Sequence, residues 1–366
     1  MRTSYRADVV GSLLRPKYLM QAREEWEAGR LSTAAFKTVE DRAVDQAIAL
    51  QEAIGVDVVS DGELRRLVFF DHFIQGLDGL SATPAAAVRF HGGSELGDID
   101  FLAPVCVTDK IRLRRMLTIE EFAYARGSAR KPVKVTLPSP LIFFALWSPE
   151  HSRDAYADPF ELFADAAQLV RTEARELAAL GCEYIQVDAP ELAQVFGDPA
   201  QRAQWESLGI SADRAMTEGV DLVNSVADVP GVSFGLHLCR GNYQSRWIAE
   251  GDYTDFAAKA FGRATNYDTF LLEYDDSRSG SFEPLAKLPD DKSAVLGLVS
   301  TKHDRLEPAD ELVGRIEEAE RYVSRERLAL STQCGFASDA SGNLISDEVQ
   351  EAKLRLVAEV ARRVWG

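Results

Sequence analysis

From one end to the other, the chain alternates between amphipathic helical stretches and short runs of β-branched and aliphatic residues. The clearest unit is FADAAQLVRTEARELAALGCEYIQVDAPEL, residues 163–192. Apolar residues recur at helical spacing as far as Leu180, Gly181 supplies the stop, and EYIQVD reads as a buried strand. The same grammar returns in TVEDRAVDQAIALQEAIG before VDVVSDGE, and in ADRAMTEGVDLVNSVADVPG before VSFGLHLC. It continues in DFAAKAFGRATNYD before TFLLEYDD, FEPLAKLPDD before SAVLGLVST, and ADELVGRIEEAERYVSRE before RLALSTQC. With ADVVGS near the start and KPVKVTLPSP at 131–140, the chain offers eight candidate strands, and DEVQEAKLRLVAEVARRVW reads as a closing helix. Eight strands that each feed a helix predict an α/β protein of the (β/α)8 TIM-barrel type. An open doubly wound sheet fits less well, because no GxGxxG follows the first strand.

One stretch breaks the rhythm. Residues 70–130, between the second and third strands, hold HGGSELGDIDFLAPVCVTDKI and then a helix-like TIEEFAYARG. With no linker-like flanks, this segment reads as an insertion on the barrel, and residues 1–366 as a single catalytic domain. A hydrophobic fraction of 46% supplies a sizeable core. The formal charge of −17 disfavours nucleic acid or an anionic membrane as a partner and leaves small molecules. The sequence leaves open whether like chains associate. No long uncharged apolar run and no signal-peptide core appear, which predicts a cytoplasmic protein. Four cysteines, Cys106, Cys182, Cys239 and Cys334, are too few and scattered for a disulfide framework. Reduced cysteines that matter are then ligands or nucleophiles.

In a barrel of this type, chemistry collects at the C-terminal ends of the strands. There the sequence places Gly11 and Ser12, then Asp61, Glu63, Arg65 and Arg66 in SDGELRR, then Asp188. The later strands end in His237 and Cys239, in Glu273, in Lys302 and His303, and in Cys334. Residues i and i+2 of a strand share a face, so His237 and Cys239 in LHLCRGN project into the same space. Glu273 sits in the apolar run FLLEYDD, where an unpaired carboxylate is costly. Two cysteines, a histidine and an acid converging from three strands form a ligand mixture that Zn2+ takes in tetrahedral geometry.

HLCRGN, LLEYDDSRSG and STQCGF resemble the zinc motifs of the cobalamin-independent methionine synthases, in the C-terminal catalytic barrel of that family. The resemblance covers nearly the whole chain, with no counterpart of the N-terminal barrel of the full-length enzymes. It implies zinc held by His237, Cys239, Glu273 and Cys334. VVGSLLRP resembles the segment that contacts the homocysteine carboxylate, here Val10, Gly11 and Ser12. By the same resemblance Glu63 and Asp188 face the substrate amine, and Trp147, in PLIFFALWSP, lines the folate pocket. Two positions depart from the family pattern. Ala189 follows Asp188 where the family carries Glu, and STKHDRLEP replaces a His-Ser-Pro-Arg segment, leaving Lys302 or His303 to transfer the proton.

The activity implied is transfer of a methyl group, from 5-methyltetrahydrofolate or another carrier, to the thiol of homocysteine. Zinc chemistry suits it, because a thiol is mostly protonated at neutral pH until a metal takes it as thiolate. A rival reading is a zinc-dependent thiol alkyltransferase that opens an epoxide, as in the epoxyalkane:coenzyme M transferases. That acceptor carries a sulfonate and no amine, which the paired acids at 63 and 188 do not suit. A zinc- or thiol-binding protein on a decayed barrel would have lost the substrate residues, and these remain.

Overall fold

A computed structural model describes residues 5–85 and 87–366. Its strands in chain order are Leu77–Ser81 (β1), Ala87–Phe90 (β2), Ile99–Leu102 (β3), Cys106–Leu113 (β4) and Lys134–Pro138 (β5). They continue with Tyr184–Asp188 (β6), Ser233–Leu238 (β7), Thr269–Glu273 (β8), Ser293–Val299 (β9) and Leu328–Thr332 (β10). β5 to β10 form one parallel sheet in consecutive order. The α/β class with a parallel sheet is therefore as the sequence predicts.

Two of the eight predicted strands are reduced to single bridges. Residue Ala7 pairs in parallel with Leu330, and Val59 with Val133. Asp8 N–H donates to Leu330 O (3.0 Å), Asp57 N–H to Ala7 O (3.0 Å) and Lys134 N–H to Val59 O (2.8 Å). Hydrogen bonds thus run from β10 through residues 6–8 and 57–59 to β5, and the sheet closes on itself. Its inner face carries a layer of Leu271, Val295 and Ala329, and a buried ion pair in which Lys134 Nζ lies 2.7 Å from Asp8 Oδ1. Lys134 also donates to Gln186 Oε1, and Tyr184 OH to Asp8 Oδ2, so the charges are fully partnered.

The helices begin and end where local chemistry dictates. Ser32 accepts from Ala35 N–H (3.2 Å) to cap Thr33–Ile54, and Gly55 closes that helix at φ 94°. Asp158 caps Pro159–Ala179, whose Phe163, Val170, Ala174 and Leu177 bury against the sheet. Asp347–Trp365 has acids in its first turn and Arg362 and Arg363 in its last, both favourable to the helix dipole. Other expected helices are shorter: DFAAKAFGRATNYD yields only Thr254–Lys259 and FEPLAKLPDD a 3-10 turn, Glu283–Lys287. Among the described residues no helix is long and apolar enough to cross a membrane.

Residues 70–130 are not uniform. β1 pairs antiparallel with β4, and β2 with β3, as two separate two-stranded sheets. The helix Leu117–Ser128 lies between Thr33–Ile54 and Pro159–Ala179, packing on both. It occupies the place of the helix that links the second and third strands, so the irregular part ends before it.

Candidate active site

The strand ends deliver three metal-ligating side chains to one point. His237 lies in β7, Cys239 follows it, and Cys334 lies just beyond β10; one ligand atom from each falls within 4.8 Å of the others. All three are buried. The thiols share hydrogen-bonding protons: Cys239 donates to Cys334 and pulls its pKa down to about 6, helped by His237 and Lys302, while Cys239 itself is pushed up.

His237 is oriented by its neighbour in the sheet. Asp188 ends β6, directly across from His237, and its Oδ1 lies 2.8 Å from His237 Nδ1. The same oxygen accepts from Gln186 Nε2 (2.7 Å). Burial works against a charged imidazole, but the Asp188 hydrogen bond and charge outweigh it and raise the pKa of His237. A carboxylate on Nδ1–H leaves Nε2, 3.4 Å from Gln333 O, as the nitrogen that a metal would take, the way metal-bound histidines are held. Two thiolates and an imidazole are a donor set that fits zinc.

Glu63, Gly11 and Ser12 form the opposite wall. Glu63 has φ 54°, a conformation unusual outside glycine, and its N–H donates to Asp61 Oδ1 (2.9 Å). Its Oε1 accepts from Thr136 Oγ1 (2.7 Å) and lies 3.6 Å from Arg66 Nη1, while Oε2 is buried without a hydrogen-bond partner among the described residues. Burial raises its pKa to about 7, with Arg66 opposing and Asp188 adding. Gly11 must lack a side chain, since a Cβ there would stand 2.5 Å from Glu63 Oε1. Gly335 is equally constrained, its Cβ falling 2.9 Å from the Ser12 backbone nitrogen.

Three predicted residues sit differently. Glu273 is buried, but its Oε2 accepts from Arg240 N–H (2.8 Å) and its Oε1 pairs with Lys302 Nζ at 3.2 Å, and it is not in the three-residue cluster. Lys302 is thus committed to a buried ion pair and stays outside the cavity lining; His303 is half-buried, 3.9 Å from Glu307, and also outside. Trp147 is buried in the core, its Nε1 donating to Leu208 O (3.0 Å), and does not line the cavity. It caps the 3-10 helix Pro140–Leu146, and from that helix Ile142, Phe144 and Ala145 face the cavity instead.

His237, Cys239, Cys334, Glu63 and Asp188 all line one cavity of about 100 Å³, well above the roughly 10–15 Å³ that one water needs. Its far wall is the β2–β3 hairpin, from which Val88, Phe90 and Phe101 point inward; Phe90 and Phe101 pack on Tyr243. The hairpin is pinned by reciprocal backbone bonds between His91 and Trp247. Two polar lining residues were not legible from motifs: Glu191 and Gln194, one turn apart on the helix Pro190–Gly197. Both are buried; Gln194 Oε1 meets no hydrogen-bond partner among the described residues, and the Glu191 carboxyl has only the Ser139 hydroxyl near it. Polar side chains at i and i+3 in the otherwise apolar PELAQVFG were the available signal.

Residues 6–362 match the family model described as "Cobalamin-independent synthase, Catalytic domain". The chain is 38% identical to the uncharacterized protein YxjG of Bacillus subtilis, over 99% of this chain and 95% of that one. It is 26% identical to a methionine synthase of Pyrococcus abyssi, covering 90% of this chain and 85% of the relative. A B12-independent methionine synthase from Shewanella sp. W3-18-1, solved with selenomethionine, shares the fold at a TM-score of 0.77. That match has 20% identity and covers 99% of this chain and 98% of that one.

Proposed function

The chain belongs to the cobalamin-independent synthase family through its catalytic domain, and from that premise we propose that it is a zinc-dependent S-methyltransferase. The acceptor in this reading is the thiol of homocysteine, the product is methionine, and the donor is 5-methyltetrahydrofolate or another methyl carrier. The observation that carries the proposal is the meeting, in one cavity, of the His237–Cys239–Cys334 cluster with a buried carboxylate oxygen of Glu63 that has no partner. His237, Cys239 and Cys334 would hold the zinc, and Glu273, which now contacts Lys302 and Arg240, would be the fourth ligand. Bound zinc would supply one thing, a lowered pKa for the substrate thiol.

The protein's own residues do the rest. Asp188 holds His237 in the ligating tautomer, and its remaining oxygen, with Glu63 Oε2, receives the substrate ammonium. Two acids around one cation is a match that a sulfonate or a plain alkyl thiol cannot make. Gly11 and Ser12 leave the close backbone approach that a carboxylate needs. The aromatic hairpin wall excludes water from the attacking sulfur, which strengthens every charge interaction inside. In this reading residues 1–366 form one catalytic barrel domain, and the hairpin belongs to an elaboration between the second and third strands.

The test is direct. Purified zinc-loaded protein is given homocysteine and a panel of methyl donors, and methionine is quantified. Methionine formation from at least one donor is expected; no transfer from any donor, with epoxide opening by a thiol instead, contradicts the proposal.

A further inference from the structure

A methyl carrier whose departing atom is a nitrogen must gain a proton as the carbon–nitrogen bond breaks. Neither Lys302 nor His303 lines the cavity, so the donors nearest a carrier bound there are the titratable side chains that do. The titratable side chains that do line it can be taken in turn. His237, Cys239 and Cys334 are the metal set, and Glu63 and Asp188 are engaged with the acceptor's amine. Asp339 and Tyr243 are only half-buried at the mouth, and Asp339 already accepts from Ser341 N–H. Glu191 is left.

Its setting is that of an acid kept for use. The side chain is fully buried on Pro190–Gly197 and lines the cavity, and apart from the nearby Ser139 hydroxyl its carboxyl oxygens have no hydrogen-bond partner among the described residues. A buried carboxylate with no cation to pair with costs far more than a neutral carboxylic acid in the same place. The groups around it are the Asp188 carboxylate at the end of β6, the Ser139 hydroxyl beyond β5 and the buried Tyr267 before β8, with no cation among them. Burial, and then the Asp188 charge, push its pKa up to about 8 against the effect of Ser139, so the proton is present at neutral pH.

We propose that Glu191 is the general acid of the methyl transfer, delivering its carboxyl proton to the departing atom of the methyl carrier. This rests on the methyltransferase reading above. The thiolate sulfur's electron pair forms the new sulfur–carbon bond. The carbon–nitrogen bond breaks with its pair remaining on nitrogen, and that nitrogen takes the Glu191 proton. The Glu191 carboxylate then regains a proton from water as product leaves.

The experiment compares two donors on zinc-loaded wild-type protein and the isosteric Glu191→Gln variant, with homocysteine as acceptor. 5-Methyltetrahydrofolate needs a proton to depart, while trimethylsulfonium leaves as neutral dimethyl sulfide and needs none. General-acid catalysis is worth about 10²–10⁴-fold, so the variant should lower the folate-to-sulfonium rate ratio by about 100-fold or more. An unchanged ratio overturns the proposal, as does wild-type protein that uses trimethylsulfonium alone. Wild-type protein that methylates homocysteine from neither donor contradicts the methyltransferase reading itself, and the acid falls with it. Infrared difference spectra at pH 7 give an independent readout: a protonated-carboxyl band present in wild type and lost in Glu191→Gln is expected, and its absence overturns the proposal.

Discussion

His237 Nδ1 lies 2.8 Å from Asp188 Oδ1, across two neighbouring parallel strands on which the two residues stand in register. A hydrogen bond so placed fixes a ring before any metal arrives. It gives Asp188 a role beyond the proposed one of amine partner, because the same carboxylate orients the imidazole of His237. Asp188→Asn should therefore weaken zinc binding by about 10–100-fold, the usual cost of removing such a support. Competition with a chromophoric chelator measures it. Unchanged zinc affinity in the variant would show that His237 is oriented by something else.

Glu63 should govern the acceptor without touching the metal. Its Oε2 is buried and unpaired, so the Glu63→Gln variant loses a desolvated charge pair with the substrate ammonium, at a cost of about 2–5 kcal/mol in homocysteine affinity. Zinc content should stay at the wild-type level. The pH dependence has a definite sign. Burial raises the pKa of Glu63 to about 7, and only the carboxylate attracts an ammonium, so affinity should rise with pH up to about 7 and then level off. Calorimetric titration across pH 5.5 to 8.5, a range of about three units centred on that pKa, separates this from a flat profile, which would exclude Glu63.

A second buried acid bears on stability. Glu173, on Pro159–Ala179, accepts from Thr118 Oγ1 at 2.8 Å, and its Oε1 has no partner. Burial raises its pKa to about 7, against the opposing effects of Thr118 and Arg66. Between the ordinary carboxyl pKa and 7 the folded state then holds a proton that the unfolded chain has released. Stability from this group is present below the unfolded pKa and is lost as pH rises through 7. The loss is at most about 3 kcal/mol. Thermal melts at about pH 4.5, near the ordinary carboxyl pKa, and at about pH 8, roughly one unit above the folded value, should show a smaller fall for Glu173→Gln than for wild type. An equal fall in both would assign the pH dependence to other groups.

Much of this was legible in the sequence, for identifiable reasons. A His-x-Cys pair at a strand end has one geometric outcome, because strand side chains alternate, and Cys334 follows the same logic on the neighbouring rim. What a side chain pairs with is harder to read. Glu273 and Lys302 meet because β8 and β9 are adjacent, and that adjacency turns the expected proton carrier into a buried counter-ion. Trp147 shows the limit of position-by-position resemblance: a 3-10 helix turns its neighbours toward the cavity and the indole toward Leu208. Residues 7 and 59 belong to strands too short to register beyond one bridge each, though their hydrogen bonds still close the sheet. Glu191 and Gln194 belong to no motif, and their only trace in the sequence is the i, i+3 spacing of two polar residues in a short apolar helix.

Metal analysis of three purified proteins tests the central claim most directly: wild type, Cys239→Ser and Cys334→Ser, each loaded with zinc and then dialysed against a weak chelator. Wild-type protein should retain about one zinc per chain, as a tetrahedral site built on two thiolates and an imidazole does. Both variants should lose most of theirs while keeping the wild-type circular dichroism. Full zinc occupancy in either folded variant would contradict the account, since the metal would then rest on other residues.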